Sequence, residues 1–147
     1  IYYSKDALSH ASFSKEVQEI SYLKKDSKIE DKIEIKTLDS YLLEKPLNLE
    51  VVLLKIDVEG FEEEVLKGAS NMLMNPKTKM IQIEYNLHQL YKRQTLHSLH
   101  AYIKDYLIFQ MLPFGLIRRD ENDPLSNFYA YSNFLFVRED VVNEIER

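Results

Sequence analysis

The clearest pattern of apolar and polar residues in this chain changes its period halfway along. From Val51 to Ile56 the residues are apolar apart from one lysine, which favours a strand covered on both faces, as in parallel α/β sheets. From Phe61 onward apolar residues recur every three to four positions, which predicts a helix that ends before Pro76. Gly68 lies inside this predicted helix, where it indicates a close backbone approach to the sheet.

The same succession occurs once more further along the chain. Met80–Tyr85 is predicted to be the next strand, and the helix after it begins at Thr95 and keeps apolar residues on one face through Tyr106. Strand, helix, strand and helix in this order imply parallel pairing with right-handed crossovers. Asp57 and Glu84, which end the two strands, should therefore lie at the same sheet edge, where ligands bind in open α/β folds.

Shorter elements are predicted before the central strand. Residues 4–14 are polar and predict a loop, whereas residues 32–36 alternate polar and apolar side chains and predict a half-exposed strand. Thr37 offers a hydroxyl N-cap to a short helix that continues through Leu42 and stops before Pro46. One strand and one helix are thus expected here.

The carboxyl-terminal part predicts a different pairing. Apolar runs at residues 107–112 and 133–137, separated by a Pro-Phe-Gly turn and a polar loop, indicate an antiparallel closing pair. Residues 138–147 form a charged tail with one or two helical turns. The whole chain, 1–147, is therefore expected to be a single α/β domain, a length sufficient for a packed core.

Charge and composition exclude several classes of protein. The formal net charge is −5, and the short basic pairs at residues 24–25 and 118–119 are flanked by acids, which argues against a nucleic-acid interface. The absence of cysteine excludes disulfides and thiolate metal sites. No stretch approaches the roughly 20 apolar residues of a membrane span, and the first residues lack the pattern of a signal peptide. These observations predict a cytoplasmic protein.

Several motifs occur together in a characteristic order. They are T-L-D-S-Y-L at 37–42, L-K-I-D-V-E-G-F-E at 54–62, V-L-K-G-A at 65–69, I-Q-I-E at 81–84 and N-F-L-F-V at 133–137. This succession, over roughly residues 30–138, resembles the FkbM family of S-adenosylmethionine-dependent methyltransferases. The resemblance implies a Rossmann-like class I methyltransferase fold, mostly parallel with an antiparallel C-terminal strand pair. It also implies methyl transfer from S-adenosylmethionine to a hydroxyl of a sugar, a polyketide or another secondary metabolite.

One feature of the class I fold is missing. Such enzymes hold the cofactor on a glycine-rich loop after the first strand, because only glycine permits so close a backbone approach. This chain has three glycines and no G-x-G motif, and it opens at Ile1 without a methionine. We therefore expect a fragment, the acceptor-side half of the domain without its N-terminal cofactor-binding half. The cofactor-binding residues are unknown from the sequence, and the chain alone is expected to be inactive.

The acidic strand ends are the candidate catalytic residues. Methyl transfer from a sulfonium requires alignment of donor and acceptor and help in deprotonating a hydroxyl. A carboxylate at a strand end can do both, so Asp57 and Glu84 are predicted to align the acceptor or remove its proton. The alternative for Asp57 is a turn carboxylate that caps the helix starting at Phe61.

Three further residues are candidates for acceptor binding. Glu59, Asn86 and His88 follow the same two strand ends. An acid beside a helix start is favourable without any chemistry, which is the simpler explanation for Glu59. His88 could equally be an ordinary loop residue.

A metal site is a weaker hypothesis. Asp57, Glu84 and Asn86 offer the oxygen ligands that Mg²⁺ prefers. His97 and His100 are three residues apart on one helix, but a solvated helix face explains them better.

Four aromatic residues near the C-terminus could stack on a sugar, although core packing is the commoner role. They are Phe128, Tyr129, Tyr131 and Phe134.

Two alternative functions, from different classes, are therefore expected. The first is S-adenosylmethionine-dependent O-methyl transfer to a small-molecule or glycan acceptor, with this chain as the acceptor-side half of the enzyme. The second is a non-catalytic α/β module kept for interaction, stable as a homodimer that covers an open sheet edge.

Overall fold

The computed structural model describes residues 2–4, 7–13, 28–45, 51–129 and 131–145. The strands are β1 (Tyr2–Ser4), β2 (Ala7–Ser12), β3 (Lys28–Glu30), β4 (Leu53–Ile56), β5 (Met80–Tyr85), β6 (Tyr106–Leu112), β7 (Gly115–Arg119) and β8 (Ser132–Arg138). The helices are α1 (Leu38–Leu43), α2 (Glu62–Lys67), α3 (Ser70–Met74), α4 (Leu87–Lys92), α5 (Leu96–His100) and α6 (Glu139–Ile145), with a 3₁₀ turn at Pro124–Asn127.

The larger sheet has five strands in the order β4-β5-β8-β6-β7. β4 and β5 run parallel, as predicted, whereas the other three pairings are antiparallel. The antiparallel closing pair is confirmed as β6 and β8, and β7 extends it by one strand. The prediction of a mostly parallel sheet is wrong for the described residues, because only one of the four strand pairings in this sheet is parallel.

One face of this sheet carries the core. Alternate residues of β4, β5, β6 and β8 point to this face, where α2, α3 and α5 contribute further apolar side chains. The fully buried members on the strands are Ile56, Ile81, Ile83, Tyr85, Tyr106, Ile108, Phe134 and Phe136.

The opposite face of β4 is open. Leu53 is 48% exposed and Lys55 is exposed as well, while Ile56 is buried. The prediction that this strand is covered on both faces is therefore wrong in the described part of the chain. Its continuous apolar sequence arises because Leu54 and Ile56 face the core while Leu53 faces outward.

The short helix α1 begins as its sequence predicts. Thr37 is the N-cap, and its Oγ1 accepts a hydrogen bond of 3.1 Å from the amide of Ser40. The helix ends at Leu43, and Pro46 lies outside the described residues. The predicted strand at 32–36 is wrong: residues 31–37 are irregular and exposed, and β3 lies just before them.

The long helix predicted after Phe61 is two short helices. α2 ends at Lys67, Gly68 is its C-cap, and α3 starts at Ser70. The close approach predicted for Gly68 exists, but its neighbour is α1 rather than the sheet. A Cβ at this position would lie 3.2 Å from the Cβ of Thr37, and the carbonyl of Gly68 accepts from the amide of Asp39 at 2.9 Å.

The segment after β5 also differs from the prediction. α4, with Asn86 as its N-cap, was not predicted, whereas Thr95 does cap α5 with a hydrogen bond of 3.1 Å from the amide of Ser98. α5 stops at His100, and Tyr106 begins β6 instead of closing the helix. The apolar spacing matched a helix because both elements bury residues against the same core.

The ends of the chain form small elements of their own. The predicted loop at residues 4–14 is wrong in its described part, because β2 pairs antiparallel with β1, which also pairs with β3 in a three-stranded sheet. The charged tail forms α6, as predicted. None of the helices that the structure describes is long and apolar enough to cross a bilayer.

Candidate functional site

The site is built on the turn that joins β4 to α2. In this turn Glu59 has φ 53° and Gly60 has φ 96°, both in the left-handed region. Such a conformation costs a glutamate about 1–2 kcal/mol, so the surrounding contacts must hold it in place. Gly60 is buried, and its carbonyl accepts a hydrogen bond of 3.3 Å from Gln94 Nε2.

Asp57 and Glu84 lie together at the end of the parallel pair. Ile56 pairs with Ile83 in register, which brings the next residue of each strand to the same level, and the two carboxyl groups lie close enough to shift each other's pKa. Lys55 Nζ contacts Asp57 Oδ2 at 2.7 Å. Asp57 does not cap α2, whose N-cap position is Phe61.

The two carboxyl groups differ in acidity. The hydrogen bond from Lys55 lowers the pKa of Asp57 below its usual value, and the bond to Glu84 acts in the same direction. Burial raises the pKa of Glu84, and the adjacent Asp57 raises it further. Glu84 is therefore the more basic carboxyl group of the pair, and Asp57 the more acidic one.

Asn86 and Tyr131 complete the surroundings of Glu84. Asn86 Nδ2 donates to Glu84 Oε1 at 3.2 Å, while its Oδ1 accepts from the amide of His88 at 2.7 Å and so caps α4. Tyr131 is exposed, and the nearby carboxyl group of Glu84 raises the pKa of its hydroxyl. Asn86 thus holds Glu84 in position and is itself buried.

Glu59 and His88 form a second pair behind the first. His88 Nδ1 contacts Glu59 Oε2, and the side chain of His88 is 3% exposed. This contact helps to hold Glu59 in its left-handed conformation. Both predicted binding residues are therefore part of the same site, although His88 lies beneath its surface.

Glu62 is a member of the site that sequence reasoning missed. It is 1% exposed, and its Oε1 accepts hydrogen bonds from the amides of Val58 at 3.3 Å and Gly60 at 3.2 Å. Burial raises its pKa. A signal was available, because position 62 shares a helix face with Leu66 and Ala69, and a carboxylate on an apolar face requires hydrogen-bond partners.

An apolar hollow of about 540 Å³ lies beside the turn, between α1 and α2. Val58 and Phe61, which flank the turn, contribute to its wall together with Leu38, Tyr41 and Val65. Its size and lining suit a mostly apolar group.

The metal hypothesis finds little support in the site. In the part of the chain that the structure describes, no three His, Asp or Glu side chains are grouped closely enough to hold a metal ion. Asn86 Oδ1, proposed as a ligand, is occupied by its helix cap. His97 is exposed, as predicted for a residue on a solvated helix face. His100 is half-buried instead, and its Nε2 contacts the carbonyl of Tyr106 at 2.8 Å.

The aromatic residues near the C-terminus divide between two roles. Phe134 is buried, and Tyr129 stacks on Tyr85 with ring centroids 5.4 Å apart. Phe128 and Tyr131 are exposed, and only Tyr131 reaches the carboxyl pair. Core packing thus accounts for two of the four.

The comparison with known families agrees with this geometry. Residues 2–113 match the model of the methyltransferase FkbM domain. The chain belongs to the FkbM methyltransferase family. Within this family match lie the turn, both strand ends and the helices that support them. Searches of curated proteins and of solved structures found no match.

Proposed function

We propose that this FkbM methyltransferase domain transfers a methyl group from S-adenosylmethionine to a hydroxyl of a sugar or a secondary metabolite. The observation that carries this proposal is the pair of carboxyl groups, Asp57 and Glu84, that the strand register brings together at the carboxyl edge of β4 and β5. Family membership supports methyl transfer in general. The carboxyl pair favours an oxygen acceptor, because it can orient a hydroxyl and accept its proton.

The two carboxylates have different roles in this proposal. Asp57 stays ionised beside Lys55 and accepts a hydrogen bond from a second hydroxyl of the acceptor, which orients the molecule. Glu84 is the more basic of the two and takes the proton of the reacting hydroxyl as the new O–C bond forms. Asn86 keeps Glu84 aimed at the edge. Exposed Tyr131 gives the acceptor a ring to lie against.

The cofactor supplies an electrophilic methyl group on a sulfonium, which leaves as a neutral thioether. The apolar hollow beside Val58 and Phe61 fits its adenine, and the negative charge of Asp57 favours a cationic sulfonium near the turn. The sequence lacks the G-x-G loop for the rest of the cofactor. We therefore assign this chain the acceptor side of the enzyme, with the glycine loop supplied by a preceding segment.

A second candidate is a non-catalytic interaction module. Among the described residues β4 pairs on one side only, with β5, and Leu53 on its outward face is exposed. Such an edge can pair with another chain, and a homodimer would cover it. Light scattering that shows a monomer at high concentration counts against this candidate.

The enzyme proposal is tested by calorimetry and by transfer of a labelled methyl group. We expect S-adenosylmethionine to bind a version of the protein extended upstream through a glycine-rich loop, and to bind this chain far more weakly. The extended protein should methylate hydroxylated acceptors, and Glu84→Gln should slow transfer strongly while it retains binding. If the extended protein binds no S-adenosylmethionine, the proposal is wrong.

A further inference from the structure

The turn at residues 57–60 is fixed from below by one buried carboxylate. Glu62 Oε1 accepts hydrogen bonds from the amides of Val58 and Gly60, the two residues on either side of Glu59. These two hydrogen bonds close the turn around a residue in the left-handed conformation. At 1% exposure Glu62 is too deep to touch an acceptor, so any effect on chemistry must pass through the turn.

A second buried residue joins this carboxylate to the neighbouring strand end. Gln89, also 1% exposed, lies beside the carboxyl group of Glu62. Its Nε2 donates to the carbonyl of Glu84 at 3.1 Å, and its Oε1 accepts from the amide of Asn86 at 2.6 Å. Gln89 therefore contacts the strand end that carries Glu84, while Glu62 contacts the turn that follows Asp57.

We propose that Glu62 is a positioning residue of the site, which together with Gln89 sets the separation of Asp57 and Glu84. The buried bridge runs from the 57–60 turn through the two side chains to the end of β5, so it ties the two strand ends at a fixed distance. This inference rests on the proposed function for its catalytic meaning, but the separation itself is measurable without any reaction.

The bridge predicts a specific effect on titration. Without the Glu62 oxygen that accepts hydrogen bonds from the two amides, the turn relaxes. Asp57 then moves away from Glu84. The neighbouring carboxylate then contributes less to the pKa of Glu84, which falls toward the ordinary value of a glutamate. A glutamine at position 62 still offers an oxygen to both amides and should preserve the pair.

The experiment compares Glu62→Gln with Glu62→Ala, which both lack the buried charge and differ in the acceptor oxygen. Carbon-detected NMR titration of the side-chain carboxyl groups gives the midpoints of Asp57 and Glu84. We expect Glu62→Gln to keep the wild-type midpoints, and Glu62→Ala to lower the midpoint of Glu84. Glu63→Gln, on the same helix but paired with Lys67, is the matched control and should change neither.

If Glu62→Ala does not fold, Glu62→Asp replaces it, because the shorter side chain keeps the charge and draws the oxygen away from the amides. Equal midpoints in Glu62→Gln and the shortened variant overturn the proposal. In the extended, active enzyme we expect the shortened variant to lower kcat at least tenfold with little change in KM. If the titration is altered but the extended protein never transfers a methyl group, the proposed enzyme function is wrong and the positioning role of Glu62 stands. If methyl transfer is normal and the titration is unaltered, the positioning role is wrong and the enzyme function stands.

Discussion

Asp39 caps a helix that begins far along the chain, through a hydrogen bond of 3.0 Å from the amide of Met72 to its Oδ1. Its second oxygen, Oδ2, accepts from the amide of Asn71 at 2.9 Å and from the hydroxyl of Ser70 at 3.3 Å. The N-cap position of α3 is Ala69, which has no acceptor of its own. Asp39 therefore joins α1 to α3 and satisfies two amides that would otherwise lack partners.

Loss of this tertiary cap should destabilise the fold. We expect Asp39→Ala to lower the free energy of unfolding by about 1–2 kcal/mol, the range for the removal of a capping side chain. Asp39→Asn retains one acceptor oxygen and should lose less. Urea unfolding followed by circular dichroism measures both variants, and equal losses would show that the two amides do not depend on Asp39.

Gly68 should not tolerate a side chain, because of its contact with Thr37. An added Cβ would lie 3.2 Å from the Cβ and 3.3 Å from the Cγ2 of Thr37. We expect Gly68→Ala to cost about 1–3 kcal/mol, as overpacking does elsewhere. In the double variant with Thr37→Ser, which keeps the capping hydroxyl and removes Cγ2, part of this loss should return. Additive losses in a double-mutant cycle would contradict the contact.

The hydroxyl of Tyr106 ties β6 to the segment before β5. It donates to the carbonyl of Thr78 at 2.8 Å, and the residue is buried. Tyr106→Phe leaves that buried carbonyl without a partner, so we expect a loss of about 1–3 kcal/mol in thermal or urea unfolding. Tyr102→Phe is the control, because Tyr102 is exposed and donates to Glu63 at the surface. A loss for Tyr106→Phe no larger than for the control would contradict this assignment.

The stability conferred by Glu84 should depend on pH with a definite sign. Because its folded-state pKa is raised above 4.5, protonated Glu84 favours the folded state below that pH, and this contribution is lost as pH rises through the folded-state pKa. Relative to wild type, Glu84→Gln should thus become more stable as pH rises from 4.5 through the raised folded-state pKa of Glu84. Urea midpoints measured across this range test it, and a difference that does not change with pH would count against the raised pKa.

Catalysis in the extended enzyme should follow the same ionisation. If Glu84 accepts the proton, kcat rises with pH through its raised pKa and then levels off. We expect Glu84→Gln to lower kcat by roughly 10²–10⁴-fold and to remove this limb of the profile. Glu63→Gln, which lies on α2 away from the carboxyl pair, should keep both. Retention of the limb in Glu84→Gln would assign the base to another residue.

Much of the site could be predicted from the sequence because its carriers are regular elements. The strand at 80–85 and the change of period at Phe61 placed Asp57 and Glu84 at one edge, and parallel pairing confirms that placement. Glu62 was missed although its position on an apolar helix face was a signal, and Gln89 was missed because nothing in its local sequence distinguishes a buried amide from a solvated one. Their partners are backbone amides and carbonyls two to five residues away, which come within reach only in the folded turn and helix cap.

The sequence by itself determined the family motifs, the two parallel strands and the acidic edge, since these follow from the period of apolar residues and from the order of strands and helices along the chain. Only the tertiary structure decided which face of β4 is open, where the helix after Phe61 breaks, and that Asp39 caps α3. These features depend on contacts between residues far apart in sequence. In the same way, the effect of Asp57 on the pKa of Glu84 requires a separation that only the folded turn supplies.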